Sequence, residues 1–90
     1  MTTSMETAAL LSERQTTHGN FEDNARFAQA LRDFWRAAPH WSMMPDEHKE
    51  ALDMMAGKFS RILSGQSTFA DHWRDIAGYA TLADKACGPK

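Results

Sequence analysis

Ninety residues with a formal charge of -2 and 42% hydrophobic side chains suffice for one domain with a modest core and exclude a second core. The charge balance excludes the broad basic footprint with which nucleic-acid binders neutralise phosphates, leaving only local basic pairs. Cys87 is the only cysteine, which excludes an intrachain disulfide and a cysteine-based metal cage and fits a reducing cytoplasm.

The stretch from Met1 to Leu11 has neither a basic leader region nor a long apolar run, so secretion and membrane spanning are not indicated. Apolar periodicity is helical throughout, and no stretch alternates long enough to predict a strand. The expected fold is therefore all-α, one domain over residues 1–90 with frayed ends at about 1–4 and 86–90.

A first helix is predicted from Ser4 to about Gln15, with Ala8, Leu10 and Leu11 as its apolar face, and the polar run Thr16 to Asn20 breaks it. Asn20 then caps a second helix, with Asp23 three residues on at capping-box spacing. Phe27, Leu31, Phe34, Trp35 and Ala38 form its predicted buried face. Pro39 to Met44 is a short loop carrying His40 and Trp41. Pro45 suits the first position of a third helix, because its missing amide proton has no intrahelical partner there. Asp46 and Glu47 favour the positive end of that helix, and Lys58 and Arg61 its later turns. Leu52, Met55, Phe59, Ile62 and Leu63 continue the stripe to a stop at Gly65. A fourth helix follows Thr68, which has capping-box spacing to Asp71, and buries Phe69, Trp73, Ile76, Ala80 and Ala83. Short connections favour antiparallel neighbours, so a compact four-helix bundle results, with the first helix as a clasp. A chain this small, with its apolar surface concentrated in Trp, Phe and Met, also stands to gain from self-association.

Glu47, Glu50 and Asp53 recur every three residues and form a drifting acidic edge, while Asp71 and Asp75 are spaced to project side by side. If the last two helices are antiparallel, Glu50 and Asp53 meet Asp75, and Asp71 lies nearer Lys58 and Arg61. Mg²⁺ takes oxygen ligands in an octahedron and keeps water or phosphate among them, so carboxylates from two helices can hold it. Lys58 and Arg61 then suit phosphate oxygens. The same residues equally suit helix dipoles, caps and solvated ion pairs. Asp75, beside Ile76 and one turn from Tyr79, is expected at the edge of the buried face, where an uncompensated carboxylate is costly. His18, in a Thr-His-Gly-Asn turn, is either a phosphate contact or a turn residue. His40, His48 and His72 lack zinc spacing, and Trp73, Tyr79 and Met54-Met55 read as core. There is no nucleophile-base constellation and no phosphate-cradling glycine loop.

Three motifs carry a resemblance: Glu-Arg-x-x-x-His-Gly-x-Phe at Glu13 to Phe21, Glu-Ala-Leu-x-Met-x-Ala-x-Lys-x-x-Arg-Ile at Glu50 to Ile62, and Asp-x-Trp-x-Asp-Ile-Ala-Gly-Tyr-Ala at Asp71 to Ala80. Together they resemble a family of small phage and prophage proteins of unknown function. That family is in turn similar to the all-α, MazG-like nucleoside triphosphate pyrophosphohydrolases, whose acidic residues on two helices bind Mg²⁺. Asp46-Glu47-x-x-Glu50 resembles the first half of the MazG-like pattern. Asp71-x-x-x-Asp75 stands for the second half with one residue too many, which moves Asp71 about 100° round its helix.

The resemblance implies a MazG-like protein in the cytoplasm of a bacterial host, binding or hydrolysing a nucleoside triphosphate as a homodimer or tetramer. Under the enzyme reading Glu47, Glu50, Asp53 and Asp75 hold Mg²⁺, Glu50 or Asp53 orients the attacking water, and Lys58, Arg61 and His18 face phosphates. The alternative is a non-catalytic interaction protein that inhibits a host or defence complex or serves as a regulatory subunit, presenting Trp41, Met43 and Met44. A nucleic-acid accessory role requires Arg14, Arg26, Arg32 and Arg36 to share one face.

Overall fold

The structure is a computed structural model that describes residues 4–89. Its helices are α1 (Ser4–His18), α2 (Phe21–Arg36), α3 (Asp46–Ser64) and α4 (Ala70–Lys85), with a 3-10 turn at Trp41–Met43 between α2 and α3. No strand forms among the described residues, and the predicted fold class is the observed one. Residues 1–3 and Lys90, part of the expected frayed ends, lie outside the described residues.

Local chemistry explains most of the boundaries. Asn20 caps α2 by accepting the Asp23 amide at 2.8 Å, and its own side-chain amide donates to Asp23 Oδ2 at 3.0 Å. Such a cap contributes about 1 kcal/mol. Pro45 is the N-cap of α3 rather than its first residue; its extended ψ of 153° frees its carbonyl to accept from His48 and Lys49. The predicted capping box at Thr68 does not form, because the N-cap of α4 is Phe69 and makes no side-chain cap bond. The C-terminal segment continues from α4 with hydrogen bonds of its own. Ala86, Cys87 and Gly88 donate to carbonyls of the last turn of α4, and Gly88 takes a left-handed φ of 82°, the usual chemistry of a glycine-terminated helix.

The central element is α3, with α2 and α4 packed on it. His48 Nε2 donates to the Ala83 carbonyl at 2.9 Å, fixing the start of α3 beside the end of α4. The contact faces are made of small residues: Ala28, Ala51, Ala56 and Ser60 are buried, and Ser60 returns its hydroxyl to the Gly57 carbonyl at 2.7 Å. Several large side chains predicted to be buried are not. Phe34 is 80% and Trp73 52% exposed, Leu63 is exposed, and Trp73 instead donates its indole N–H to the Ser67 carbonyl. Helices that touch through alanine and serine come close together, which leaves the bulky residues at the margins of the seam.

α1 meets the rest of the chain through its last turn; residues 5–16 are all exposed. Instead of clasping the bundle along its length, it is held at its end by two glycines. A Cβ on Gly19, whose φ is 77°, would stand 2.5 Å from Ser64 Cβ, and one on Gly65 would stand 2.5 Å from the Thr17 carbonyl oxygen. The φ of Gly65 is -116°, so close approach rather than a left-handed stop accounts for glycine there.

Candidate functional site

The acidic residues expected around one Mg²⁺ stand in three different surroundings. Asp53 faces α2, where its carboxylate accepts from Trp35 Nε1 at 3.1 Å and from Arg36 at 3.0 Å. Asp75 pairs with Lys58 Nζ at 2.7 Å. The hydrogen bond from Lys58, more than its charge, holds the Asp75 carboxyl below the usual range. Glu47 and Glu50, with Asp46, rim a cavity of about 530 Å³ floored by Ala51, Met54, Tyr79 and Leu82. Among the described residues no group of three or more His, Cys, Asp or Glu side chains is placed to hold a metal ion.

Helical geometry causes this dispersal. A three-residue step falls about 60° short of a full turn, so six residues carry Asp53 about 120° round α3 from Glu47, from the α4 side to the α2 side. The register against α4 is also one turn from that expected: Asp75 is level with Lys58, Tyr79 borders Glu50, and Asp71 is exposed and pairs with Arg74. Asp75 is therefore an exposed, paired carboxylate rather than one at the edge of the buried face.

Basic side chains do converge. α1, α2 and α3 border a half-open cavity of about 410 Å³ lined by Arg14 and His18 from α1, Asn24 and Arg32 from α2, and Ser60 and Arg61 from α3. Leu11 and Phe21 form apolar parts of its wall. No Asp or Glu lines it among the described residues. Arg32 is oriented by a two-pronged bond to the Asp53 carbonyl, Nε at 3.2 Å and Nη2 at 2.9 Å, which fixes the side chain without neutralising its charge. Arg14 and Arg61 form no ion pair among the described residues.

His18 is positioned from behind. Its Nδ1 shares a hydrogen bond with Thr17 Oγ1, its backbone carbonyl accepts Asn24 Nδ2 at 2.7 Å, and its ring meets His72 edge-on at 4.9 Å between centroids. Burial lowers the pKa of His18, and the charges of His72, Arg14, Arg61 and Lys58 lower it further. Two buried polar atoms nearby, Asn24 Oδ1 and Ser64 Oγ, have no hydrogen-bond partner among the described residues.

Of the three residues predicted to face phosphates, His18 and Arg61 share this cavity, while Lys58 points to Asp75. Arg14 and Arg32 were legible only as basic residues of unassigned face. Of the other two arginines weighed with them, Arg26 pairs with Asp23 and Arg36 with Asp53. Of the residues expected to be presented to a partner, Met43 is exposed, whereas Trp41 and Met44 are half-buried, with Lys49 over the Trp41 ring.

The family model for a domain of unknown function (DUF6378) matches residues 4–87. No curated protein and no solved structure matches the chain.

Proposed function

The chain belongs to the DUF6378 family, and we propose that it is a phage or prophage nucleotide-binding protein of MazG-like type, holding the phosphates of a nucleoside triphosphate between α1, α2 and α3. The supporting observation is the convergence of Arg14, His18, Arg32 and Arg61 on one cavity without a carboxylate. Guanidinium groups meet phosphate oxygens with two parallel N–H bonds, so three of them on one concave surface suit a multiply charged anion. The volume falls in the range of small-ligand sites. A bacterial cytoplasm is the proposed setting; among the described residues no helix is long and apolar enough to cross a membrane.

Mg²⁺-dependent release of pyrophosphate is the activity the resemblance implies. The residues present do not fit that metal: Glu47 and Glu50, Asp53, and Asp75 occupy separate surroundings, and two of them already neutralise cations of this chain. The proposal is accordingly for binding, with no step routed through a metal.

Isothermal titration of ATP, GTP and the deoxynucleoside triphosphates into the folded protein tests it. At least one triphosphate is expected to bind, and Arg61→Ala and Arg14→Ala should each weaken it about tenfold, the scale of losing a hydrogen bond to a charged group. Absence of binding across the panel by a protein with native helical circular dichroism overturns the reading.

A second reading, an interaction protein without chemistry, is favoured by the exposed Leu10, Leu11, Phe34 and Met43. Retention of a host protein by wild type but not by Phe34→Glu, without any nucleotide affinity, would select it.

A further inference from the structure

The donor set of the cavity between α1, α2 and α3 bears on the form of ligand it accepts. Resting on the reading of that cavity as a phosphate site, we infer that it takes a polyphosphate chain as the free anion, and that Mg²⁺ competes with the protein for this ligand instead of bridging the two.

Three observations carry the inference. Arg14, Arg32 and Arg61 bring three fixed positive charges to the cavity, and His18 can add another on protonation. Mg²⁺ demands hard oxygen ligands, usually carboxylates, and dehydrates reluctantly; among the described residues no carboxylate lines this cavity, whose side-chain oxygens are the neutral ones of Gln15, Asn24, Gln29 and Ser60. The nearest acidic residue in the hydrogen-bond pattern is Asp53, and only its backbone carbonyl reaches a lining residue, Arg32, while its carboxylate is occupied by Trp35 and Arg36.

The energetics point the same way. Mg²⁺ on a triphosphate neutralises much of the charge that the guanidiniums would meet, and covers the phosphate oxygens they would bind. Cationic walls also repel the metal, because like charges in a partly desolvated cavity interact more strongly than in bulk water. Among the described residues Arg14 and Arg61 form no ion pair, although the charge of Arg61 also acts on Asp75, so an anion gains their charge without displacing a direct ion pair. A polyphosphate offers oxygens to donors from three helices along its length, more than a single phosphate carries. The chemical class is therefore a linear polyphosphate, free or as the tail of a nucleotide.

Inorganic pyrophosphate and tripolyphosphate serve as probes. Each is titrated calorimetrically into the wild-type protein with EDTA and again with excess Mg²⁺, at matched ionic strength. The expected result is binding in EDTA that weakens at least tenfold with Mg²⁺, the apparent affinity following the concentration of uncomplexed anion. Arg61→Lys, which keeps the charge but loses the planar fork, should weaken binding in EDTA, and Asp75→Asn should leave the Mg²⁺ response unchanged. Equal or tighter binding with Mg²⁺ overturns the inference while leaving the cavity a phosphate site. A folded protein that binds neither probe nor any triphosphate under either condition overturns both.

Discussion

His72 donates its Nε2 proton across 2.7 Å to the carbonyl oxygen of Thr17, joining the first turn of α4 to the last turn of α1 over 55 residues of sequence. The direction is fixed because a carbonyl can only accept. The same oxygen accepts the Gln66 amide at 3.0 Å, so α1, the α3–α4 turn and α4 meet at one atom. His72 is 1% exposed and has Phe69 and His18 against its ring.

Replacing His72 by Leu keeps much of the volume and removes the bond. Thr17 retains Gln66, so its carbonyl is not orphaned, and the expected loss is about 1–2 kcal/mol. Urea unfolding should show a lower midpoint with an unchanged slope. A midpoint equal to wild type would show that ring packing alone holds the junction.

His18 gives the protein a pH dependence whose sign is fixed by its surroundings. Burial and the neighbouring His72, Arg14, Arg61 and Lys58 all disfavour its protonated form, so its folded pKa lies below the unfolded value of about 6.5. The unfolded chain then takes up the proton first. The stability that His18 contributes is fully present above about pH 6.5 and is lost as pH falls through the folded pKa. Ligand-free protein should melt at lower temperature at pH 5.5 than at 7.5, and His18→Gln should reduce that difference. A polyphosphate in the cavity reverses the local charge and favours the imidazolium, so binding should take up a proton near neutrality. Calorimetry in buffers of different ionisation enthalpy measures this uptake directly, and its absence in wild type would remove His18 from the site.

Asp75 and Lys58 behave as a structural pair. Lys58 is the more enclosed partner, with 16% of its side chain exposed against 48% for Asp75, so losing the carboxylate leaves a cation with restricted access to water. Asp75→Asn should lower the melting temperature. Because the pair depresses the carboxyl pKa below its ordinary 3.8, the stabilisation is present above that value and is lost as pH falls through the depressed one. Denaturant unfolding from pH 5 downward should show this loss in wild type and not in the variant. A variant of wild-type stability that bound polyphosphate less tightly would instead assign Asp75 to the site.

Helix content was legible because the punctuation was local. Asn20 and Pro45 each act through their own backbone or the next turn, and chain order alone reveals them, whereas Gly65 is required by the close approach of Thr17 from α1. The contact faces were less legible. Periodicity weights apolar letters, so Phe34, Leu63 and Trp73 attracted the prediction, while the buried positions went to Ala28, Ala51, Ala56, Ser60 and His72. Which face of a helix is buried depends on how closely the neighbours approach, a property of two helices together. At the proposed site, residue type singled out His18 and Arg61, and both line the cavity. Spacing misplaced the carboxylates, because a three-residue repeat drifts round the helix and the register against α4 is set by distant bonds such as His48 to Ala83.

The surface that one chain exposes is too large for its mass. A compact monomer of 10.1 kDa should expose about 5,300 Å², whereas this chain exposes 6558 Å². Its radius of gyration is 15.7 Å, against about 12 Å for a compact domain of this length. The excess of roughly 1,300 Å² exceeds the approximately 800 Å² that each partner contributes to a standard stable interface. The exposed residues of α1, among them Leu10 and Leu11, and the 85% exposed Phe21 contribute to it. Leu11 and Phe21 also border the basic cavity, so a second copy seated there would cover that part of its wall. The protein is expected to sediment as a dimer or higher oligomer at micromolar concentration, with a melting temperature that rises with concentration because association stabilises by mass action. Leu10→Glu places a charge on the exposed face without touching the α2–α3–α4 contacts. It should shift the protein toward monomer and lower its stability. A wild-type protein that sediments as a monomer, with a melting temperature independent of concentration, would show that the surface of α1 is tolerated in isolation.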